Sequence, residues 1–166
     1  MLEIGQDWKV AALITSMCVH FFINIKKMVV FMNDKYEEIL FKEAKKAYKN
    51  NNVPVSAIIV KDGKVIAKAH NMKNSTNISI AHAEIIAIKR ACKKLKTWIL
   101  SDCILYTTLK PCKMCEGAIN ESRISKVYYI LDSNYHKNFV NNINYYKIAD
   151  KISYSKLLNT FFDKLR

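Results

Sequence analysis

Two short motifs contain the residues of this chain that are best suited to chemistry. The first is His82-Ala83-Glu84, and the second, thirty residues further on, is Pro111-Cys112-Lys113-Met114-Cys115. Zn²⁺ prefers imidazole and thiolate ligands, and three protein ligands leave its fourth tetrahedral position open for water, as in catalytic zinc sites. The second motif alone would also fit a redox-active cysteine pair or two buried thiols. Together, the motifs predict a catalytic zinc site with His82, Cys112 and Cys115 as ligands.

The spacing within each motif indicates where such a site would lie. Cys112 and Cys115 are three residues apart, so they share one face of a helix and can bind the same ion. His82 and Glu84 would be about 200° apart on a regular helix, so they can converge only over its end. The metal is therefore predicted at the N-termini of two helices. Glu84 would then lie near the metal-bound water without ligating the metal, which predicts a proton shuttle. His70 is not at ligand spacing and is expected on the surface, as is His136.

The hydrophobic pattern predicts the elements that must position these motifs. An amphipathic helix is predicted from Asn33-Asp34 to Asn50, and a later helix begins at His82. Asp62-Gly63 is a typical hairpin turn between two short apolar runs. The other predicted elements are, in chain order, a strand at Cys103–Leu109, a short helix to about Ser122, a strand at Lys126–Leu131 and a helix at Ser155–Leu165. A polar, Asn-rich loop precedes this last helix. This order predicts an α/β protein with a mixed sheet flanked by helices.

Composition limits the kind of protein further. The 166 residues are enough for one domain of ordinary size, and only 3 Gly and 2 Pro exclude collagen-like and low-complexity chains. The chain has 27 Lys and Arg against 14 Asp and Glu, a net charge of +13. Such an excess favours a polyanionic partner, with nucleic acid ahead of a membrane. Five cysteines, an odd number, argue against a disulfide framework and predict a cytoplasmic location.

Residues 1–31 are predicted to be an extension before the catalytic domain, which is expected over residues 32–166. Residues 10–25 lack charged side chains, but this stretch is shorter than the roughly 20 residues that span a bilayer. The flanking charges also make a poor signal peptide. We expect translation to begin at Met28 or Met32. An extra helix and a membrane anchor are the alternatives.

The two motifs, with the residues around them, resemble those of the zinc-dependent cytidine and nucleotide deaminase superfamily. Within it, residues 34 to about 130 and the last helix are similar to the tRNA adenosine deaminases, which convert adenosine to inosine at the wobble position. The stretches that carry this likeness are Val53-Pro54-Val55, His70-Asn71, Ala81-His82-Ala83-Glu84, Thr108-Leu109-Lys110-Pro111-Cys112, Ser122-Arg123-Ile124 and Leu157–Phe162. The resemblance implies a three-layer α-β-α sandwich with a central, mixed, five-stranded sheet.

The resemblance also implies a mechanism. One Zn²⁺ per subunit would be held by His82, Cys112 and Cys115, and a zinc-activated water would attack C6 of a flipped-out adenine. Glu84, as general acid and base, would protonate the ring nitrogen and then the departing amino group. The protein would be a cytoplasmic, homodimeric hydrolase acting on the anticodon loop of a tRNA, with no membrane partner.

The substrate-binding residues implied by the resemblance are Asn71, Ala83, Pro111, Asp132 and Phe162. For two of them an alternative stays open: Asn71 could only form a loop turn, and Phe162, like its neighbour Phe161, could be a core residue of the last helix.

The chain departs from the usual pattern of the family at several positions near the motifs. Lys110 stands where a Glu usually precedes Pro-Cys, Ser56 replaces a Gly, and Glu116 replaces a small residue. The loop after Asp132 also differs. These departures concern the shape of the pocket, and therefore substrate identity more than reaction type.

Two other functions are compatible with the motifs. One is a small-molecule deaminase acting on guanine, cytosine or a free nucleotide, although a free base has no phosphates to match the basic surface. The other is a non-catalytic, zinc-containing RNA-binding protein, although such a protein would need neither Glu84 nor an open coordination position.

Overall fold

The computed structural model describes residues 34–133, 142–150 and 152–166, and these form a mixed five-stranded sheet with helices on both faces. The first helix, α1, covers residues 34–49. The other elements are, in chain order, β1 (Ser56–Lys61), β2 (Lys64–His70), α2 (Lys73–Thr76), α3 (Ala83–Leu95), β3 (Cys103–Leu109), α4 (Lys113–Glu121), β4 (Lys126–Leu131), β5 (Asn144–Lys147) and α5 (Tyr154–Asp163). None of the helices among these residues is long and apolar enough to cross a membrane.

The strands lie in the order β2-β1-β3-β4-β5. β1 is antiparallel to β2 and β3, whereas β4 is parallel to both of its neighbours. The turn between β1 and β2 is made by Asp62 and Gly63 with φ of 49° and 70°, the left-handed backbone that a tight hairpin requires. Because β3 and β4 are parallel, α4 connects them as a crossover and begins at the carboxyl end of β3.

Alternate residues of the strands face the two helical layers. Leu105 packs in the core with Ala83, Ala87 and Ala91 of α3, whose small side chains bring the helix close to the sheet. The next residue, Tyr106, faces the opposite side, where its ring centroid lies 4.9 Å from that of Tyr36 in α1. α5 belongs to this second layer, since its Phe161 packs edge-on against Tyr48 of α1. The predicted three-layer sandwich is confirmed.

The predicted bounds of β3 and β4 agree with the structure, and α3 begins directly after His82 as expected. The Asn-rich segment predicted as loop contains a strand, β5, which pairs in parallel with β4 through the register Val127 to Tyr145. α2 is a single helical turn between β2 and α3, where the sequence pattern predicted no helix or strand. The extension predicted for residues 1–31 and the surface position predicted for His136 lie outside the described residues and stay predictions.

The N-terminus of α5 is held by an acid that precedes the helix. The carboxylate of Asp150 accepts hydrogen bonds from the backbone N–H groups of Tyr154 at 2.6 Å and Ser155 at 2.9 Å. Partial burial alone would raise the pKa of Asp150, but the hydrogen bonds from Ser155 and Tyr154 outweigh it and lower that pKa. The negative charge also lies where the helix dipole favours it.

We expect Asp150→Asn to lower the free energy of unfolding by about 1 kcal/mol at pH 7, because the amide has one accepting oxygen instead of two and no charge to interact with the helix dipole. The lowered pKa means that this stabilisation is present above pH of about 4 and is lost as the pH falls through the folded-state value. Urea unfolding from pH 7 to pH 2 measures it, and the variant should approach the wild type at the acid end. Asp163→Asn, at the opposite end of the same helix, is the matched control and should not destabilise. A constant difference at all pH values would contradict the charged-cap explanation.

Candidate metal centre and nucleotide pocket

Three side chains from the two sequence motifs converge between α3 and α4. The ligand atoms of His82, Cys112 and Cys115 all lie within 4.8 Å of one another. His82 Nδ1 is 3.7 Å from Cys112 Sγ and 3.6 Å from Cys115 Sγ. With Zn–S of about 2.3 Å and Zn–N of about 2.0–2.1 Å, a tetrahedral ion separates its nitrogen and sulfur ligands by about 3.6 Å. The donor set therefore fits Zn²⁺ in both chemistry and size.

The position of the cluster follows from how the two helices begin. His82 is the N-cap of α3 and Cys112 is the N-cap of α4, both with extended backbone. An N-cap side chain lies over the end of its helix, so both ligands face the gap between the two N-termini. Cys115 reaches the same point from the first turn of α4. The predicted convergence over the helix ends is the arrangement that the structure has.

The thiols and the imidazole are electrostatically linked. Hydrogen bonds from Cys115 and His82 lower the pKa of Cys112, and the helix N-terminus favours a thiolate there as well. The hydrogen bond to Cys112, followed by burial, raises the pKa of Cys115. The hydrogen bond with Cys112 raises the pKa of His82. The pair of cysteines thus readily provides one thiolate, and bound metal would supply the charge that stabilises the second.

Glu84 lies beside the cluster without being part of it. The residue is 3% exposed, and its carboxyl group is hydrogen-bonded to the Cys115 thiol. Burial raises the pKa of Glu84 to about 7, against the smaller opposing effects of its own backbone N–H and of His82. A carboxyl group with a pKa near neutrality can both accept and donate a proton at physiological pH.

These groups lie in one pocket with a volume of about 260 Å³. His82, Glu84 and Cys112 line it together with several apolar and polar side chains: Val53, Val55, Asn71, Lys73, Ala83, Leu109, Lys110, Ser133 and Phe162. Apolar walls with a few polar groups are typical of sites that hold a heterocyclic base.

The predicted substrate-binding residues fall into two groups. Asn71, Ala83 and Phe162 line the pocket, and Pro111 is buried between the lining residues Lys110 and Cys112. Asp132 is exposed at the end of β4, does not line the pocket, and forms an ion pair with Lys147. Their roles toward substrate stay predictions.

Asn71 forms the loop turn that was left open as its alternative role, and it also lines the pocket. Its Oδ1 accepts a hydrogen bond from Lys73 N at 2.8 Å, the turn expected of a loop asparagine. Because the carbonyl oxygen is used in this turn, the Nδ2 group is the part of the side chain available to a ligand. Phe162, 45% exposed, is less buried than its neighbour Phe161, which is 6% exposed and belongs to the core.

Several lining residues were not identified from the sequence. Val53 and Val55 precede β1, and Ser133 follows β4; only the fold brings them to the ends of α3 and α4. The Ser133 hydroxyl is buried, and none of the residues that the structure describes is its hydrogen-bond partner. His70, expected on the surface, instead has a side chain only 16% exposed, and its Nδ1 lies 2.9 Å from buried Glu43. Glu43 required a partner because an unpaired buried carboxylate is costly.

Comparisons with known proteins agree with this site. Residues 31–166 match the family model described as MafB19-like deaminase. The chain therefore belongs to this deaminase family, a class of hydrolases. Within it, the chain groups with the tRNA-specific adenosine deaminases. It is 41% identical over 143 residues to the tRNA-specific adenosine deaminase of Aquifex aeolicus, an alignment that covers 78% of this chain and 93% of that one.

Two further likenesses bear on the substrate. A solved structure from a study of A-to-I editing by tRNA:A34 deaminases at the wobble position aligns with a TM-score of 0.63 and 31% identity, covering 70% of this chain and 98% of that one. The guanine deaminase of Bacillus subtilis is 50% identical over 76 residues, but the alignment covers only 46% of this chain and 49% of that one. A solved structure of that guanine deaminase also aligns, with a TM-score of 0.57 and 29% identity over 76% of this chain. The deaminase fold is therefore clear, and in sequence the alignment with the Aquifex aeolicus tRNA deaminase covers more of the chain than the alignment with the guanine deaminase.

Proposed function

We propose that this protein hydrolyses adenosine to inosine at the wobble position of a tRNA anticodon, releasing ammonia. One observation carries the proposal: a His, Cys, Cys cluster of zinc-ligand geometry with a buried glutamate beside it, in a chain similar to a tRNA-specific adenosine deaminase over 93% of that enzyme's length. The basic composition, +13 overall, suits a polyanionic substrate.

His82, Cys112 and Cys115 would bind one Zn²⁺ per subunit. When bound, the ion acts as a Lewis acid and lowers the pKa of a water molecule to near neutrality. Glu84 would accept a proton from the water that attacks C6 and would transfer it to the adenine ring nitrogen. It then assists the second proton transfer, to the departing amino group, so that water and adenosine give inosine and ammonia.

The remaining lining residues hold the base. Val55, Leu109 and Phe162 offer apolar surface on which an extruded adenine can pack. The Asn71 Nδ2 group donates a hydrogen bond to the nucleotide, while Ala83 and Pro111 bound the floor next to the metal ligands. Asp132, paired with Lys147 on the rim, contacts the substrate backbone. The homodimer and the cytoplasmic location remain part of the proposal.

The main alternative is deamination of a free base, which is supported by 50% identity over 76 residues to a guanine deaminase. The direct test offers the zinc-loaded protein an anticodon stem-loop with adenosine at the wobble position, the same stem-loop with guanosine there, free guanine and free cytosine. We expect inosine from the first substrate and no ammonia from the other three. Ammonia from guanine without inosine in RNA would replace the proposal with the alternative.

The same assay on protein beginning at Met32 tests the proposed domain boundary. Full activity of this shortened chain would assign catalysis to residues 32–166, whereas loss of activity with retained zinc would place a required element in residues 1–31.

A further inference from the structure

We propose that Lys110 forms a phosphate subsite at the mouth of the pocket, and that this subsite favours a polynucleotide over a free base. The inference rests on the proposed function, because an internal nucleotide of RNA has a phosphate on either side and a free purine has none. It also concerns a position where this chain departs from the usual sequence pattern.

The backbone of Lys110 is fixed beside the metal centre. Lys110 N donates a hydrogen bond to Leu131 O at 2.8 Å, which extends the pairing of β3 with β4 by one residue. Pro111 and the ligand Cys112 follow directly. Lys110 lines the same pocket as His82 and Glu84. A nucleotide bound in this pocket therefore lies beside Lys110.

Two aromatic rings hold that ammonium group. Lys110 Nζ lies 5.5 Å from the ring centroid of Tyr129 and 5.4 Å from that of Tyr145, within the range of cation–π attraction. The Tyr145 ring is itself fixed, since its hydroxyl donates a hydrogen bond to Glu116 Oε1 at 3.0 Å. The ring faces attract the charge but do not neutralise it, so the ammonium group remains able to bind an anion.

No carboxylate within the described residues forms an ion pair with Lys110. Asp132 forms its ion pair with Lys147, and this contact lowers the pKa of the Asp132 carboxyl group. Lys110 also lowers that pKa, but more weakly. Glu84 is buried beside the metal ligands, and Glu116 is engaged by Tyr145. A cation held in place at a pocket mouth without a bound acid is well placed for a phosphate.

The decisive experiment measures how anticodon stem-loop binding depends on salt in wild type, Lys110→Met, Lys110→Arg and Lys126→Met. Methionine keeps an unbranched side chain without the charge, arginine restores the charge, and Lys126 is an exposed lysine at the start of β4 that does not line the pocket. We expect Lys110→Met to weaken binding about tenfold, as for loss of a charged hydrogen bond. It should also reduce the slope of log K against log salt by about 0.7. Lys110→Arg should restore the slope, and Lys126→Met should leave both quantities unchanged.

Replacing a single phosphate of the RNA by an uncharged methylphosphonate identifies the phosphate that Lys110 binds. Stem-loops with a single methylphosphonate on the 5′ or the 3′ side of the wobble adenosine are compared in wild type and Lys110→Met. We expect one of the two methylphosphonates to weaken binding to the wild type about tenfold. The same methylphosphonate should leave binding to Lys110→Met unchanged. The subsite would be refuted if Lys110→Met leaves the salt slope unchanged. It would also be refuted if neither methylphosphonate has an effect that depends on Lys110, even if the variant binds less well. Should Lys110→Met fail to fold, Lys110→Gln replaces it in both measurements.

The outcomes separate this inference from the proposed function. Wild-type protein that makes inosine while the salt slope is independent of Lys110 would refute the subsite alone. Wild-type protein that makes no inosine would refute the proposed function, and wild-type protein that does not bind the stem-loop would refute both.

Discussion

Glu84→Gln is expected to reduce inosine formation on an anticodon stem-loop by about 10³-fold, within the range that general acid–base catalysis contributes. The amide has nearly the same shape as the carboxyl group it replaces but cannot carry the proton between water, ring nitrogen and leaving group. Because Glu84 is fully buried with a raised pKa, an uncharged replacement should leave the fold and the metal ligands in place. Single-turnover assays at saturating RNA measure the chemical step directly.

The matched control for Glu84→Gln is Glu43→Gln. Glu43 is another buried glutamate, which lies on α1 and pairs with Lys46 of the same helix and with His70 of β2. Burial raises the pKa of Glu43, but the hydrogen bonds from Lys46 and His70 lower it overall, so its carboxylate contributes to stability. We expect this variant to unfold at lower urea concentration and still to deaminate. The opposite pattern, with activity lost at Glu43 and kept at Glu84, would contradict the assignment of the proton shuttle.

Cys112→Ser is expected to abolish stoichiometric zinc binding, activity and part of the stability together. A serine hydroxyl is a poor zinc ligand, and two remaining ligands do not hold the ion as tightly as three. If free Zn²⁺ is about a thousandfold above its Kd, binding stabilises the native wild type by about 4 kcal/mol, and losing it would lower Tm by about 10 °C. Metal analysis of purified protein and thermal unfolding with and without chelator measure these effects without reference to catalysis.

Cys103→Ser is the matched control for the zinc ligand. Cys103 is a free cysteine, 2% exposed, at the start of β3 and outside the cluster, and burial raises the pKa of its thiol. This variant should keep one zinc per chain and the chelator-dependent shift in Tm, whatever its own packing cost. Equal zinc loss in both variants would mean that the metal site is not the one that His82, Cys112 and Cys115 form.

The convergence of His82, Cys112 and Cys115 beside Glu84 was predictable because its signal is local. His82 and Glu84 are two residues apart, and Cys112 and Cys115 are three residues apart. Each motif stands at the start of a helix that its own sequence pattern predicts. β3 and β4 were equally clear, since a run of β-branched, apolar and aromatic residues is sufficient to indicate a buried strand. β5 was not predictable, because its four residues between polar segments become a strand only by pairing with β4.

The rest of the site depends on contacts between distant parts of the chain. Ser133, Val53 and Phe162 come from three separate segments, and no spacing in the sequence relates them. Lys110 could be recognised as unusual, but its position over the Tyr129 and Tyr145 rings and the link from Tyr145 to Glu116 exist only because β4 and β5 lie side by side.

The sequence by itself thus indicated the deaminase family, because the motifs that carry the resemblance are short and local helix geometry brings their residues together. Tertiary structure decided which side chains form the walls and mouth of the pocket, and so what surrounds the reacting base. The physical reason is that long-range packing, not local propensity, places the ends of β1, β4 and α5 around the N-termini of α3 and α4.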